Sequence, residues 1–288
     1  MPPLHSTIKS TETKSLTLLT FDLDDTLFPI EPVVQDANIA MIKTLDNLGH
    51  QGISHESFSS SMKEIRKELQ ARNETITYSD LRKRTILREI GKKRDMEVEV
   101  AVEQSFKAWL DERTASAQRN LFPDAIEMLE TIIKNHPNVL IGAITNGRGN
   151  PLHMETLSKY FQFCISGEDT GVFPNRKPHR GIYDATLSHV NNNYDISLQE
   201  CDCWVHVGDD LVNDVAASAV CGAVPIWLDW EDDDVDVRGT TQGKNWSSAT
   251  KEEQMRRKML AEEAKRDSMS ASIKSLSHLP SVIKELLN

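Results

Sequence analysis

Five short runs of the chain are rich in apolar, β-favouring residues and show no regular alternation of apolar with polar positions. They are Leu16–Leu23, Val139–Thr145, Phe161–Ser166, Trp204–Gly208 and Ala223–Leu228. A strand with one face in water alternates; a strand covered on both faces does not. Between the later runs lie stretches with helical spacing. Asp124–Asn135 carries Ile126, Leu129, Ile132 and Ile133, a 3-and-4 pattern that makes one apolar face, and Gly181–Val190 and Leu211–Val220 read similarly. Strands alternating with helices predict an α/β fold built on a parallel sheet. Active sites of such sheets lie beyond the carboxyl ends of the strands.

Residues 31–118 break the alternation. They hold four expected helices, around Val33–Leu48, Glu56–Arg72, Tyr78–Lys92 and Glu97–Ala117, with no convincing strand. A helical block inserted after the first strand reads as a second small domain, placed beside the strand ends as a lid. Residues 16–30, 119–230 and 271–288 are then the core, and the Ser/Thr/Lys-rich residues 1–15 a flexible tail. Residues 231–270 form a charged insertion: the acidic run Glu231-Asp-Asp-Asp-Val-Asp236, a Gly/Thr/Ser-rich stretch, and the helix Lys251–Arg266. The only apolar stripe of that helix is Met255, Met259 and Leu260. It reads as a solvated helix with i,i+4 charge pairs, the alternative being a face for a protein partner. Ile273–Leu287 regains apolar spacing and is expected to return to the core.

Composition narrows the function classes. Thirty-three basic residues against forty-four acidic ones leave a net charge of −11, which repels nucleic-acid phosphates. No apolar run approaches the roughly 18 residues of a membrane span, and no basic start precedes an apolar leader. The expected location is the cytoplasm, or an organelle such as the plastid if a leader has been removed. Four cysteines (Cys164, Cys201, Cys203 and Cys221) are too few for a disulfide scaffold. They read as small buried thiols, and Cys201-Asp-Cys203 lacks the further ligands of a zinc site.

Polar residues gather where the apolar runs end. The first closes as Phe21-Asp22-Leu23-Asp24-Asp25-Thr26, and positions i and i+2 of an extended chain point to one side, so Asp22 and Asp24 present two carboxylates together. Close like charges are costly unless a cation or a shared proton compensates. The second run leads into Thr145-Asn146-Gly147, a hydroxyl, an amide and a permissive glycine that can face an oxyanion. Lys177 adds a positive charge before a proline, and the strand from Trp204 ends Gly208-Asp209-Asp210, with Asp214 four residues on. Carboxylates, a hydroxyl and one lysine make a site for a hard metal and a phosphate. His206, inside an apolar strand, reads as a core histidine satisfied by a neighbour. Arg82, Arg84 and Arg88 share one helix of the insert; they read as solvated charges, with Arg82 the first candidate to meet an anionic substrate.

Taken in order, Asp22-x-Asp24-x-Thr26, Thr145-Asn146, Lys177 and Gly208-Asp209-x4-Asp214 resemble the four motifs of the haloacid dehalogenase superfamily of phosphatases. The resemblance implies a Rossmann-like α/β core with an inserted all-helical C1-type cap. It implies that Asp22 attacks phosphorus to give an aspartyl-phosphate, and that Asp24 protonates the leaving alkoxide and then activates water. Mg²⁺ would be held by Asp22, Asp209 and the backbone carbonyl of Asp24. Thr145, Asn146 and Lys177 would bind phosphate, with Asp210 and Asp214 supporting Lys177 or the metal's waters. Within the superfamily, Phe-Asp-Leu-Asp-Asp-Thr-Leu, Ala143–Gly147 and Val205–Asp210 are similar to phosphatases of 5-amino-6-(5-phospho-D-ribitylamino)uracil in riboflavin synthesis and of N-acylneuraminate 9-phosphate. A nucleotidase or sugar-phosphate phosphatase stays open, as does a non-enzymatic protein that binds a partner through 231–270.

Overall fold

In the computed structural model, which describes residues 14–91, 96–194, 196, 202–230 and 251–288, the first apolar run forms the strand β1 (Ser15–Phe21). Its side chains divide between two cores. Leu16, Leu19 and Phe21 enter one cluster and Leu18 the other, so the run shows no alternation in sequence. Five further strands follow: β2 (Leu140–Thr145), β3 (Phe163–Ser166), β4 (Asp202–Gly208), β5 (Val224–Leu228) and β6 (Ala271–Ile273). All pair in parallel, in the order β3-β2-β1-β4-β5-β6. The chain steps outward from β1 to β2 and β3, returns to β4, and steps outward the other way. Its direction therefore reverses between β1 and β4, where parallel α/β sheets open a crevice for ligands.

Helix α5 (Ala125–Asn135) covers one face through Met128, Leu129 and Ile132, beside the last helix, α9 (Leu279–Leu287). Leu279 and Ile283 of α9 are fully buried, which stabilises the docked helix by about 1.5–3 kcal/mol per side chain. Helix α6 (Arg180–Tyr194) and the short α7 (Ala217–Val220) cover the other face through Ile182, Tyr183, Val190 and Ala217. Leu211–Val220 is not one regular helix. It opens as a π-helical turn over Leu211–Ala216 before the α-helix starts, and the site below explains that turn. Strand β6 was not expected. Three residues are too few for a periodicity, and their pairing, Ile226 to Ala271 and Leu228 to Ile273, exists only once β5 has folded.

Between β1 and β2 stand the four expected helices: α1 (Ile30–Asn47), α2 (His55–Ala71), α3 (Tyr78–Ile90) and α4 (Met96–Arg119). Each boundary lies within a few residues of the expected one. A capping box of Ser54 and Ser57 opens α2, and Thr77 caps α3 by accepting the Asp80 N–H. Met41, Leu45, Phe58, Ile86, Phe106 and Trp109 form a core of their own among these helices.

The charged helix α8 (Lys251–Asp267) corrects one expectation. Met255 and Met259 are exposed, as a solvated helix requires, yet another face is not solvated. Ala264 is buried, Lys265 lies 4.5 Å over the Trp227 ring, and Arg257 pairs with Asp210. One small residue and two cations suffice to seat a helix whose mean hydropathy is low. The acidic run and the rest of 231–250, like residues 1–13, lie outside the described residues. Among the described residues, no helix is long and apolar enough to cross a membrane.

Candidate active site

The Asp22 N–H donates to the Val207 carbonyl at 2.9 Å, which carries the β1–β4 pairing one residue past the strand and sets Asp22 in the crevice. The chain then turns sharply. Thr26 and Leu27 donate to the Leu23 carbonyl, Asp25 takes φ 61°, and its side chain accepts the Ile30 N–H at 3.0 Å. Aspartate tolerates that left-handed conformation better than most residues because its short polar side chain bonds locally. This turn aims Asp24 at the helical insert, where Arg113 Nη2 lies 2.6 Å from its Oδ1.

Lys177 is the hub. Its ammonium donates to Asp22 Oδ1 at 2.5 Å and to Asp214 Oδ1 at 2.7 Å, with all three side chains at least nine-tenths buried. Asn146 does not face the site freely. Its Nδ2 donates to the Lys177 carbonyl at 2.9 Å, so it fixes the loop that carries the lysine. Thr145 is buried at the end of β2, and its hydroxyl accepts the Gly147 N–H at 3.2 Å.

Asp214 reaches Lys177 from the π-helical turn. Asp210 opens that turn by accepting the N–H groups of Val212 and Asn213 at 2.9 and 2.8 Å, and its own N–H donates to Asp214 Oδ2 at 3.1 Å. Asp210 therefore caps the turn, ties down Arg257 and, through its N–H, holds the Asp214 carboxylate that engages Lys177. Gly208 is required here, because a Cβ on it would fall 2.4 Å from Asp214 Cγ. His206 lies behind Asp214. Its Nδ1 is 2.8 Å from the Thr20 hydroxyl and its Nε2 3.5 Å from Asp214 Oδ1. It is a core histidine whose Nδ1 is satisfied by Thr20, as expected, while its Nε2 stands beside Asp214 without a hydrogen bond.

The electrostatics follow from burial and count. Burial works against charge on Lys177, but Asp214 and Asp22 more than offset it, and its pKa is raised. Burial likewise opposes ionisation of Asp214, yet Lys177 and then His206 hold its pKa well below the usual range. Asp22 goes the other way. Burial and the neighbouring charges of Asp214, Asp209 and Asp24 raise it well above the usual range, despite Lys177. Burial also lowers the pKa of His206.

Oxygens of Asp22, Asp209 and Asp214 lie within 4.8 Å of one another, a set that can hold a metal ion. Three carboxylates against one ammonium leave these four groups with two negative charges, the deficit that a divalent, oxygen-preferring cation fills. Asp214 engages Lys177 and the Asp210 N–H through its two oxygens, and Asp22 engages Lys177 through Oδ1. A prediction follows from the raised Asp22 pKa. A ligating carboxylate must be deprotonated, so binding of a divalent cation such as Mg²⁺ here would displace protons and strengthen as pH rises. Between pH 5 and 8, the thermal shift produced by a fixed subsaturating Mg²⁺ concentration should increase; a shift that is flat or falls with pH would contradict this.

Arg113 was not among the expected residues. It sits in the charged stretch Asp111-Glu112-Arg113 of α4, but its position continues the buried stripe Val102, Phe106 and Trp109 by one more helical turn. A charge on the apolar face of a helix was the signal. Arg82 is not the solvated charge expected: its guanidinium lies 3.9 Å from the Trp109 ring centroid. Arg88 points away, paired with Glu64 and Glu68.

A parallel sheet whose two central strands lead into aspartates around one buried lysine defines an α/β protein with a site for a divalent cation and an anion. The haloacid dehalogenase-like hydrolase family matches residues 16–222, and the chain belongs to that family. A ribulose-1,5-bisphosphate 5-phosphatase of Halopiger xanaduensis is 25% identical over 225 residues, 74% of this chain and 84% of the relative. Among solved structures, a 2-haloacid dehalogenase of Pseudomonas syringae pv. tomato superposes with a TM-score of 0.65 at 24% identity, over 94% of this chain and 99% of that one. The hydrolase YfnB of Bacillus subtilis, bound to magnesium, gives 0.54 at 14% identity, over 94% and 99%.

Proposed function

We propose that the protein is a Mg²⁺-dependent phosphomonoester hydrolase acting on a small phosphorylated metabolite, with the helical insert as its cap. The observation that carries this reading is Asp24, a second carboxylate beside Asp22 at the end of β1. Expulsion of a halide needs no proton, whereas an alkoxide leaving group does. The fold likeness to a haloacid dehalogenase therefore does not extend to its reaction.

In this reading an Asp22 carboxylate oxygen attacks phosphorus as the ester P–O bond breaks, and Asp24 gives its proton to the departing alkoxide. Asp24 then takes a proton from the water that attacks the aspartyl-phosphate, which releases inorganic phosphate and restores Asp22. Lys177 and Thr145 face the phosphate oxygens, while Asp214 and Asn146 hold Lys177 in place. Mg²⁺ held by Asp22, Asp209 and the Asp24 carbonyl would supply the positive charge that lets an anionic nucleophile approach an anionic ester.

For the substrate, the ribitylaminouracil phosphate, nucleoside 5′-monophosphates and the relative's ribulose bisphosphate share one feature: a phosphate on carbon 5 of a five-carbon chain. That class leads, with N-acylneuraminate 9-phosphate beside it. Phosphate release is to be measured with and without Mg²⁺ from these compounds and from para-nitrophenyl phosphate, and chloride release from 2-chloropropionate. Mg²⁺-dependent phosphate release without chloride release is expected. Chloride release, or no phosphate release from any compound, would overturn the reading.

A further inference from the structure

The seam between the helical insert and the core is positively charged, against the acidic balance of the chain as a whole. Tyr78, Ser79 and Arg82 occupy one face of the first turns of α3, being three and four residues apart. Each meets the core side or its neighbour α4. The Arg176 guanidinium lies 4.3 Å from the Tyr78 ring centroid, immediately before Lys177 in sequence. The Ser79 hydroxyl accepts from Arg148 Nε at 3.0 Å and bonds the Glu168 carboxylate. Arg82 stacks on Trp109, one turn before Arg113 on α4.

Four guanidinium groups thus share two carboxylates, Glu168 with Arg148 and Asp24 with Arg113. The remainder is unsatisfied. Arg113 is 3% exposed, yet its Nη1 has no hydrogen-bond partner among the described residues, and neither has the buried Nη1 of Arg176. No carboxylate lies within ion-pair reach of Arg82 among the described residues. Burial and the like charges of Arg113 and Arg66 press its pKa down to about 9. Arg82 is half-buried and Arg113 is buried with one nitrogen unpartnered, and an anion that arrives with the substrate offsets the desolvation of both.

We infer that the substrate carries a second anionic group, a phosphate or a carboxylate away from the scissile ester, and that Arg82 and Arg113 at the seam receive it. The inference rests on the phosphatase reading and narrows it. It favours a bisphosphate or a phosphorylated acid over the ribitylaminouracil phosphate and over nucleoside monophosphates, whose far ends are neutral. A charge-assisted contact of this kind changes affinity by about 10- to 100-fold.

Two substrate pairs separate the sources of the anion: ribulose 1,5-bisphosphate against ribulose 5-phosphate, and 6-phosphogluconate against glucose 6-phosphate. The wild type should prefer the doubly anionic member of at least one pair by about 10-fold or more in kcat/KM, and that pair identifies the group. Arg82→Met, which keeps a stem over Trp109, should collapse the ratio towards one, and Arg82→Lys should keep part of it. A ratio near one in both pairs, or an equal loss on both members in Arg82→Met, overturns the inference. Turnover of para-nitrophenyl phosphate tests the phosphatase reading separately. Calorimetric titration of the same pairs into Asp22→Asn with Mg²⁺ reads the preference without turnover, so a ratio near one there decides against the inference even if the enzyme hydrolyses nothing.

Discussion

Asp22→Asn should abolish Mg²⁺-dependent phosphate release, a loss on the order of 10⁵-fold or more, because the proposed mechanism assigns the nucleophile to Asp22. The variant should nevertheless fold. Asparagine keeps the shape and can still accept from Lys177, and it removes a carboxylate whose charge is opposed by burial and by Asp214, Asp209 and Asp24. Its melting temperature without metal should match or exceed that of the wild type, and its stabilisation by Mg²⁺ should be smaller. Asp24→Asn is the informative partner. Loss of an acid–base group costs about 10²–10⁴-fold, so slow turnover should persist, and more so for para-nitrophenyl phosphate, whose leaving group is stable without a proton. Rates for the two variants that fall together on every substrate would remove the distinction between nucleophile and proton donor on which the proposed mechanism stands.

The parallel sheet was legible in the sequence for a definite reason: a strand buried on both faces must be apolar throughout, and Leu18 and Leu19 indeed enter opposite cores. The order of polar residues at the strand ends was equally legible, because each of Asp22, Thr145 and Asp209 closes or follows an apolar run. What stayed hidden depends on contacts distant in sequence. Strand β6 has three residues and only β5 to define it. The role of Asp210 is decided by the π-helical turn that it caps and by Arg257 from a helix 47 residues later. Arg113 is 89 residues from Asp24; the helical stripe Val102, Phe106, Trp109 marks it as turned inward, but its partner is not legible from α4 alone. The same is true of Arg82, whose environment is made by Trp109 on another helix.

Lys177→Met should cost more stability than any other single change in the site. Lys177 is the one cation between Asp22 and Asp214, and its removal leaves two buried carboxylates facing each other without compensation. Breaking a buried pair in this way costs about 3–5 kcal/mol, which corresponds to a fall in Tm on the order of 10 °C for a domain of this size. The pH dependence has a definite sign. In the wild type Lys177 has a raised pKa, so its contribution is present below the reference value of 10.5 and lost as pH rises through the folded value. Asp214 has a lowered pKa, so its contribution is present above 3.8 and lost as pH falls through the folded value. In Lys177→Met the main cause that lowers Asp214 is gone. Both carboxyls then resist ionisation, and the variant gains stability relative to the wild type as pH falls from 8 towards 5 and they take up protons. Mg²⁺ at neutral pH should recover part of the loss, and a larger part than it adds to the wild type, because the cation now screens charge that Lys177 formerly held. Thermal melts of both proteins at pH 5 and 8, with and without Mg²⁺, give all four quantities. A stability gap that widens on acidification, or one that Mg²⁺ leaves untouched, would mean that Lys177 serves packing and not charge. The two aspartates would then need another explanation for standing 2.5 and 2.7 Å from one ammonium.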